Sequence, residues 1–257
     1  MAVTIKTKEE IEILREGGKR LAFILAAVVH AVKPGTSTLE LDNLARKLCE
    51  DGGDKPAFLN YKPAGMKRPY PAALCVSVND EIVHGIPNEK PKILKEGDIV
   101  SLDLGLNHKG LFTDHAVTVP VGEVDDVAKN LMEITKQALY AGIDAIKEGG
   151  HIRDISYAIE RFVRPKRLGI VEELCGHGVG YKVHEDPYIP NYCLEDQGEK
   201  LKVGMVLALE PMINEGSKHI ALDDDGWTYR TADGKRSAHF EHTVVVTKDG
   251  ADILTQI

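Results

Sequence analysis

Two stretches of the sequence repeat each other without a gap. Residues 94–103 are LKEGDIVSLD and residues 201–210 are LKVGMVLALE, so Asp103 aligns with Glu210. Residues 114–119, DHAVTV, align in the same way with residues 241–246, EHTVVV, and Asp114 aligns with Glu241. Order, content and acidic positions agree together, which indicates an internal duplication rather than a chance match of β-rich segments. We expect a single domain over residues 1–257, with pseudo-repeats of about 1–122 and 123–257.

A helix–turn–helix pattern precedes each pair of repeated strands. In the first half, capping boxes (Thr7 with Glu10, Ser37 with Glu40) predict helices ending near residues 33–35 and 52–53. In the second half, a helical pattern covers about residues 126–146, and a further helix carries Ile155, Ile159 and Phe162. We therefore predict an α/β (α+β) fold in which two pseudo-twofold-related halves place helices outside one shared antiparallel sheet.

The repeated strands bring acidic residues together. The tetrapeptide at residues 107–110, NHKG, is typical of a hairpin turn. A turn centred between residues 108 and 109 would place Asp103 directly opposite Asp114, where like charges destabilise a sheet. Two acids alone would fit a solvated hairpin face equally well. Glu210 and Glu241 repeat the arrangement, however, and four converging carboxylates indicate a bound cation.

Histidines complete the expected ligand set. His177 lies among three glycines in CGHGVG (175–180), a setting that lets the backbone approach a ligand closely, so we interpret it as a ligand. His84 and His184 lie in turn-rich segments, and each alone could equally be structural. Carboxylates with imidazole suit two divalent ions per chain, of Co, Mn, Fe or Zn, whose identity stays open. Such a pair would lower the pKa of a bridging water from ~15.7 towards ~7.

Charge and hydropathy exclude several classes of function. The net charge is −8 without a basic stripe, which argues against a nucleic-acid partner. The longest apolar stretch, residues 21–32, is interrupted by His30 and is shorter than the ~20 residues that cross a membrane. The amino terminus lacks the layout of a secretion signal, and four scattered cysteines do not form a disulfide framework. We expect a cytoplasmic protein.

Five motifs together resemble those of the type I methionine aminopeptidases, and the resemblance runs through essentially the whole chain. They are SVNDEIVHGIP (77–87), SLDLG (101–105), CGHGVG (175–180), LEPM (209–212) and FEHTV (240–244). The resemblance implies the pita-bread fold, two metal ions and a catalytic domain that removes the N-terminal methionine from nascent proteins and peptides with a small second residue. The reaction implied is attack of metal-activated water on the first peptide bond.

The resemblance also implies the roles of individual residues. Asp103 would bind one ion, His177 and Glu210 the other, and Asp114 and Glu241 would bridge both. His84 would contact the scissile amide nitrogen and His184 the carbonyl oxygen. Glu210 would also shuttle a proton to the leaving amine. The methionine side chain would enter a pocket lined by the substrate-binding residues Tyr61, Tyr70, Cys75 and Trp227, although Trp227 alone is equally well explained by packing.

Three features depart from the family pattern. The loop at residues 61–71 is longer than expected, His115 replaces a small or hydroxyl residue, and Val183 replaces an aromatic one. Each leaves its effect on the pocket open.

The rival interpretations are a proline-specific peptidase or creatinase, a type II methionine enzyme, and a non-catalytic pita-bread module. The first normally carries a large extra amino-terminal domain, and the second a long insertion between the equivalents of His177 and Glu210. The third has lost ligands that this sequence keeps. We expect a monomer, with docking at the ribosome left open.

Overall fold

Four helices and fifteen short strands make up the computed structural model, which describes residues 3–257. The helices are α1 (Lys8–Ala31), α2 (Thr38–Asp51), α3 (Asp126–Asp144) and α4 (Ile152–Val163), with a 3-10 turn at Arg164–Lys166. The strands are β1 (Lys55–Pro56), β2 (Cys75–Val78), β3 (Glu81–Val83), β4 (Ile99–His108), β5 (Leu111–Pro120), β6 (Gly169–Ile170), β7 (Cys175–Gly178), β8 (Glu185–Pro190), β9 (Val206–Leu209), β10 (Met212–Asn214), β11 (Ile220–Leu222), β12 (Tyr229–Thr231), β13 (Ser237–His239), β14 (Glu241–Val246) and β15 (Ala251–Ile253).

The helix starts follow the capping residues of the sequence. Before α1, the Thr7 hydroxyl accepts the Glu10 backbone N–H at 3.2 Å, and the Glu10 carboxylate accepts the Thr7 N–H at 2.8 Å. Ser37 and Glu40 form the same box before α2. Each box satisfies N–H groups that have no partner within the helix. Both predicted boxes are confirmed, and no helix within residues 3–257 is long and apolar enough to cross a membrane.

The largest sheet has nine strands in the order β1-β4-β5-β14-β9-β7-β8, with β15 also on β14 and β2 also on β4. Every ladder in it is antiparallel. The aligned strands β4 and β9, and likewise β5 and β14, thus lie at matching places on either side of the β5–β14 contact. The α/β class with a shared antiparallel sheet is confirmed. The division into one domain of two repeats stays a prediction.

Two apolar clusters hold the helices against one face of this sheet. One joins α1 and α2 to the first-half strands, and the other joins α3 and α4 to the second-half strands. Side chains alternate along a strand. In β4, Leu102 and Leu104 therefore pack in the helix-covered core, while Asp103 points to the opposite face. That opposite face carries the acidic residues.

The predicted register of the first hairpin is wrong by two residues. Strand β4 continues to His108, and the turn consists of Lys109 and Gly110 at φ of 51° and 89°. This two-residue turn with positive φ at both positions matches the twist of the flanking strands. The pairing becomes Asp103 with Ala116 and Gly105 with Asp114. The two aspartates are diagonal neighbours rather than opposed, and an offset of two keeps them on one face.

Candidate metal centre and substrate pocket

All eleven residues predicted for the site line one cavity, together with Phe58 and Pro63, which the sequence did not single out. Its volume is about 90 Å³. The predicted residues are Tyr61, Tyr70, Cys75, His84, Asp103, Asp114, His177, His184, Glu210, Trp227 and Glu241.

The four carboxylates come from neighbouring strands at the centre of the sheet. Asp103 lies on β4, Asp114 on β5 and Glu241 at the start of β14. Glu210 directly follows Leu209, the last residue of β9, which pairs with His242 on β14. The side-chain oxygens of Asp114 and Glu241 lie within 4.8 Å of each other and of a His177 ring nitrogen. The duplicated strands therefore place these acids side by side.

His177 is oriented by its own strand and by the two glycines beside it. Its Nδ1 lies 3.0 Å from the carbonyl of Gly178, which leaves Nε2 directed at Glu210 Oε1, 3.3 Å away. A Cβ on Gly176 would lie 2.4 Å from the carbonyl oxygen of Ala208, and one on Gly178 would lie 2.3 Å from that of Asp186. Glycine is required at both places because neighbouring backbone approaches so closely.

Asp103, Asp114 and Glu241 are buried and Glu210 is partly buried, and no ion pair with lysine or arginine compensates their charge in the described residues. Asp103 Oδ1 and Glu241 Oε1 are buried and have no hydrogen-bond partner. Burial raises the pKa of Asp103 to about 7. Burial, followed by the charges of neighbouring acids, raises the pKa of Asp114, Glu210 and Glu241 well above the usual range. Unpartnered carboxylate oxygens beside an imidazole nitrogen form a donor set that fits divalent metal ions.

Two further histidines, His84 and His184, line the same cavity as the acids. Burial lowers the pKa of His84 to about 4 and that of His184 to about 3, so both rings are neutral at pH 7. His184 Nδ1 lies 2.7 Å from the hydroxyl of Tyr61. Since burial raises the pKa of Tyr61, that hydroxyl keeps its proton and is able to donate to Nδ1. When it donates, the hydrogen of the His184 ring lies on Nε2.

Beside the acids lies an apolar recess, the side-chain pocket, lined by Phe58, Tyr61, Tyr70, Cys75 and Trp227. Tyr70 meets the Trp227 ring edge to face, with ring centres 5.3 Å apart. Burial raises the pKa of the Cys75 thiol well above its usual range, so the thiol is uncharged. Val183 packs in the same cluster. The recess suits an apolar side chain placed next to the acids.

His115 lies on the other face of the sheet. Its Nδ1 is 2.5 Å from the backbone carbonyl of Glu241, and its ring stacks on His242 at 4.7 Å. Alternation along β5 explains this placement because Asp114, one residue earlier, points into the site.

Sequence reasoning missed His239. Its Nε2 lies 3.7 Å from Glu210 Oε2, and neither ring nitrogen has a hydrogen-bond partner. The signal available was its spacing of two from Glu241 in a β-rich segment, which is typical of residues on one face of a strand.

Comparisons with known proteins agree with this geometry. The sequence profile of metallopeptidase family M24 matches residues 12–248. A methionine aminopeptidase from Aquifex aeolicus is 45% identical over 260 residues, covering 100% of both chains. The crystal structure of a methionine aminopeptidase from Thermotoga maritima superposes with a TM-score of 0.93 at 42% identity and covers 100% of both chains.

A prolidase from Pyrococcus horikoshii shares the fold, with a TM-score of 0.78 at 23% identity. The match covers 98% of this chain and 63% of the prolidase. The predicted pita-bread fold and the predicted family resemblance are both confirmed.

Proposed function

The chain belongs to metallopeptidase family M24, and from this premise we propose that its cavity removes the N-terminal methionine from peptides and proteins. The chain is thus a methionyl aminopeptidase, a hydrolase that uses divalent metal. The observation that carries the proposal is the convergence of three buried carboxylates, the partly buried Glu210 and His177 beside an apolar pocket. Neither the cluster of acids with His177 nor the apolar pocket would by itself indicate an exopeptidase specific for methionine.

Five residues would hold the metal, and we propose that they hold two ions of Co, Mn, Fe or Zn. They are Asp103, Asp114, His177, Glu210 and Glu241, whose carboxylates and imidazole are common ligands of these ions. The unpartnered oxygens of Asp103 and Glu241 support this assignment. When bound, divalent ions supply positive charge that lowers the pKa of water and polarises a carbonyl.

The two histidines above the acids would position the scissile peptide. One ring nitrogen of neutral His84 donates to the backbone carbonyl of Trp227, so the other is an acceptor for the N–H of the scissile amide. The Nε2–H of His184, set by the Tyr61 hydroxyl, is a donor for the carbonyl oxygen, where negative charge develops. The two roles therefore require that the free ring nitrogen accepts a hydrogen bond in His84 and donates one in His184.

Glu210 is the residue we propose for proton transfer. Its Oε1 faces His177 at 3.3 Å, and its Oε2 lies 3.7 Å from His239. A carboxylate at this place can accept a proton from water and release it to the leaving amine.

The side-chain pocket accounts for the choice of methionine. Tyr70, Cys75 and Trp227 are each less than 10% exposed and surround a narrow space next to the carboxylates. An unbranched thioether side chain fills irregular apolar gaps and contacts aromatic rings favourably.

We propose that the second residue of the substrate must be small. We also propose that nascent chains are substrates, that the enzyme is a monomer and that it is cytoplasmic. Docking at the ribosome is a further hypothesis.

The test is a product assay. The protein is stripped of metal, reconstituted separately with Mn²⁺, Co²⁺, Fe²⁺ or Zn²⁺, and given Met-Ala-Ser, Met-Leu-Ser and an Xaa-Pro peptide. We expect free methionine from Met-Ala-Ser, much less from Met-Leu-Ser, and no cleavage before proline. The variant Glu210→Gln is the matched control for contaminating peptidases. Absence of methionine release with every metal would refute the function, and cleavage of the Xaa-Pro bond would favour the proline-specific class.

A further inference from the structure

Arg68 connects three separate segments at the rim of the side-chain pocket. Its Nη1 and Nη2 donate to the two carboxylate oxygens of Glu89 at 2.5 Å and 3.0 Å. Its Nε and Nη2 also donate to the backbone carbonyl of Asp225 at 3.2 Å and 2.9 Å. A planar guanidinium can make both forked contacts at once, which an ammonium cannot. We call this set of contacts, from Arg68 to Glu89 and Asp225, the rim clasp.

The segment that carries Arg68 is the long loop of residues 61–71. Its base is closed by the backbone bond from Tyr70 N–H to the carbonyl of Tyr61, at 2.9 Å. Pro63, near the start of this loop, lines the cavity. Among residues 62–69 of the described chain, Arg68 makes the side-chain hydrogen bonds that reach other segments. The clasp therefore fixes the second arm of this loop, after its turn, to the rest of the pocket rim.

On the other side of the rim, Asp225 organises the turn that carries Trp227. Its Oδ1 accepts the backbone N–H groups of Trp227 and Thr228 at 2.7 Å and 2.8 Å. Its Oδ2 accepts the Thr228 hydroxyl at 2.6 Å, and Gly226 has φ of 79°. The backbone carbonyl of Asp225 is the group that Arg68 holds. A displacement of Asp225 would consequently move Trp227 with it.

Trp227 connects this turn to the reacting region. Its ring is 6% exposed and lies edge to face with Tyr70 at 5.3 Å and with His84 at 6.1 Å. The position of Trp227 therefore affects the width of the side-chain pocket.

We propose that Arg68 is a positioning residue that determines specificity, because the rim clasp holds Trp227 at the width of pocket that methionine fills. This inference rests on the proposed function, and it identifies the rim clasp as the set of contacts that determines which side chain the pocket prefers. Arg68 is not a catalytic residue, since it lies outside the cavity and acts through Asp225 and Trp227.

The kinetic test compares Met-Ala-Ser with Leu-Ala-Ser in the variant Arg68→Ala. The side chains of Arg68 and Glu89 are 37% and 43% exposed, so their ion pair is a surface pair of modest strength. Loss of this pair should raise KM for Met-Ala-Ser about fivefold, near the upper limit for an exposed ion pair. We expect kcat to change less than about twofold and the preference for methionine over leucine to fall by a similar ~5-fold factor. Arg68→Lys should lie between wild type and Arg68→Ala.

Fluorescence gives a readout that needs no substrate, since Trp227 is the single tryptophan of the sequence. Loss of the clasp should shift its emission to longer wavelength and increase quenching by acrylamide. Lys67→Ala is the matched control, because Lys67 is an exposed cation of the same loop. It should leave the KM, the kcat and the emission of Trp227 unchanged.

Unchanged emission and an unchanged KM in Arg68→Ala would overturn the inference, as would equal effects in Lys67→Ala. A loss confined to kcat would also overturn it, because pocket width acts on binding. If wild type released no methionine, the proposed function would fail, whereas the fluorescence comparison would still decide whether Arg68 holds Trp227.

Discussion

Replacing Asp114 by asparagine should make the metal-free protein more stable while it removes activity. Asp114 is buried, and its ligand oxygen lies within 4.8 Å of one on Glu241. At an effective dielectric constant of ~20, two like charges at that separation repel by ~3 kcal/mol. Asparagine has the same shape and keeps an oxygen for the His115 backbone N–H, which Asp114 Oδ1 accepts at 3.1 Å. The substitution therefore removes repulsion without opening a cavity.

The gain in stability should grow with pH. Burial, followed by the charges of Asp103 and Glu210, raises the folded pKa of Asp114 above that of an unfolded aspartate. A raised folded pKa stabilises the wild type fully below the unfolded value of ~4, and this stabilisation is lost as pH rises through the folded value. Asparagine does not titrate, and the buried histidines are common to both proteins. The difference should thus be smaller at pH 5 than at pH 8.

Thermal unfolding of both proteins in excess chelator provides the assay. A gain of ~3 kcal/mol corresponds to a Tm higher by ~6–12 °C for a chain of this size. Adding Mn²⁺ should reverse the order, because the wild type gains a charged ligand that the variant lacks. Turnover of Met-Ala-Ser should fall nearly to zero in the variant. Asp249→Asn, at an exposed position, is the control for general loss of negative charge. A variant that is no more stable at pH 8 would contradict the charge repulsion at Asp114, and one that keeps its turnover would contradict its role as a metal ligand.

Three further substitutions test separate parts of the site. Glu210→Gln should lower kcat by at least ~10²-fold in single-turnover assays, because it removes the proton acceptor; an unchanged kcat would exclude that role. Tyr61→Phe should lower kcat by less than the ~10²-fold typical of losing an oxyanion donor outright, because it removes only the contact that sets the His184 tautomer. The emission of Trp227 should stay unchanged in this variant, and an unchanged kcat would contradict the tautomer argument. Gly178→Ala should destabilise the fold by about 2 kcal/mol or more in denaturant titration, since its Cβ would lie 2.3 Å from a carbonyl oxygen; wild-type stability would contradict the close approach.

The carboxylates could be predicted because the sequence contains their arrangement twice. The alignment of Asp103 with Glu210 and of Asp114 with Glu241 needs only the order of residues, and strand alternation then assigns the acids to one face. The helix starts were equally accessible, because a capping box is a local pattern of four residues. Both kinds of prediction need only the order of residues along the chain.

The hairpin register depended on a turn that the sequence describes ambiguously. Residues 107–110 permit turns at more than one place, and only the backbone conformation of Lys109 and Gly110 selects the pairing of Asp103 with Ala116. The face assignment survived because the error was an even number of residues. An error of one would have moved Asp114 to the helix side.

Contacts between distant segments could not be derived from the sequence. Arg68 meets Asp225 and Glu89 only because three loops converge at the pocket rim. His239 ends β13, which lies in a separate three-stranded sheet, whereas Glu241 begins β14 of the nine-stranded sheet. The sequence does not show this change of sheet, although the spacing of two residues between His239 and Glu241 was a usable signal. The family resemblance supplied the substrate, which neither spacing nor charge specifies.

Anomalous diffraction from Mn²⁺-loaded crystals would show directly which side chains hold the metal. We expect two anomalous peaks in the cavity, with Asp103, Asp114, His177, Glu210 and Glu241 as their ligands and with Asp114 and Glu241 contacting both. Peaks located elsewhere, or a cavity without any metal bound to these five side chains, would contradict this expectation.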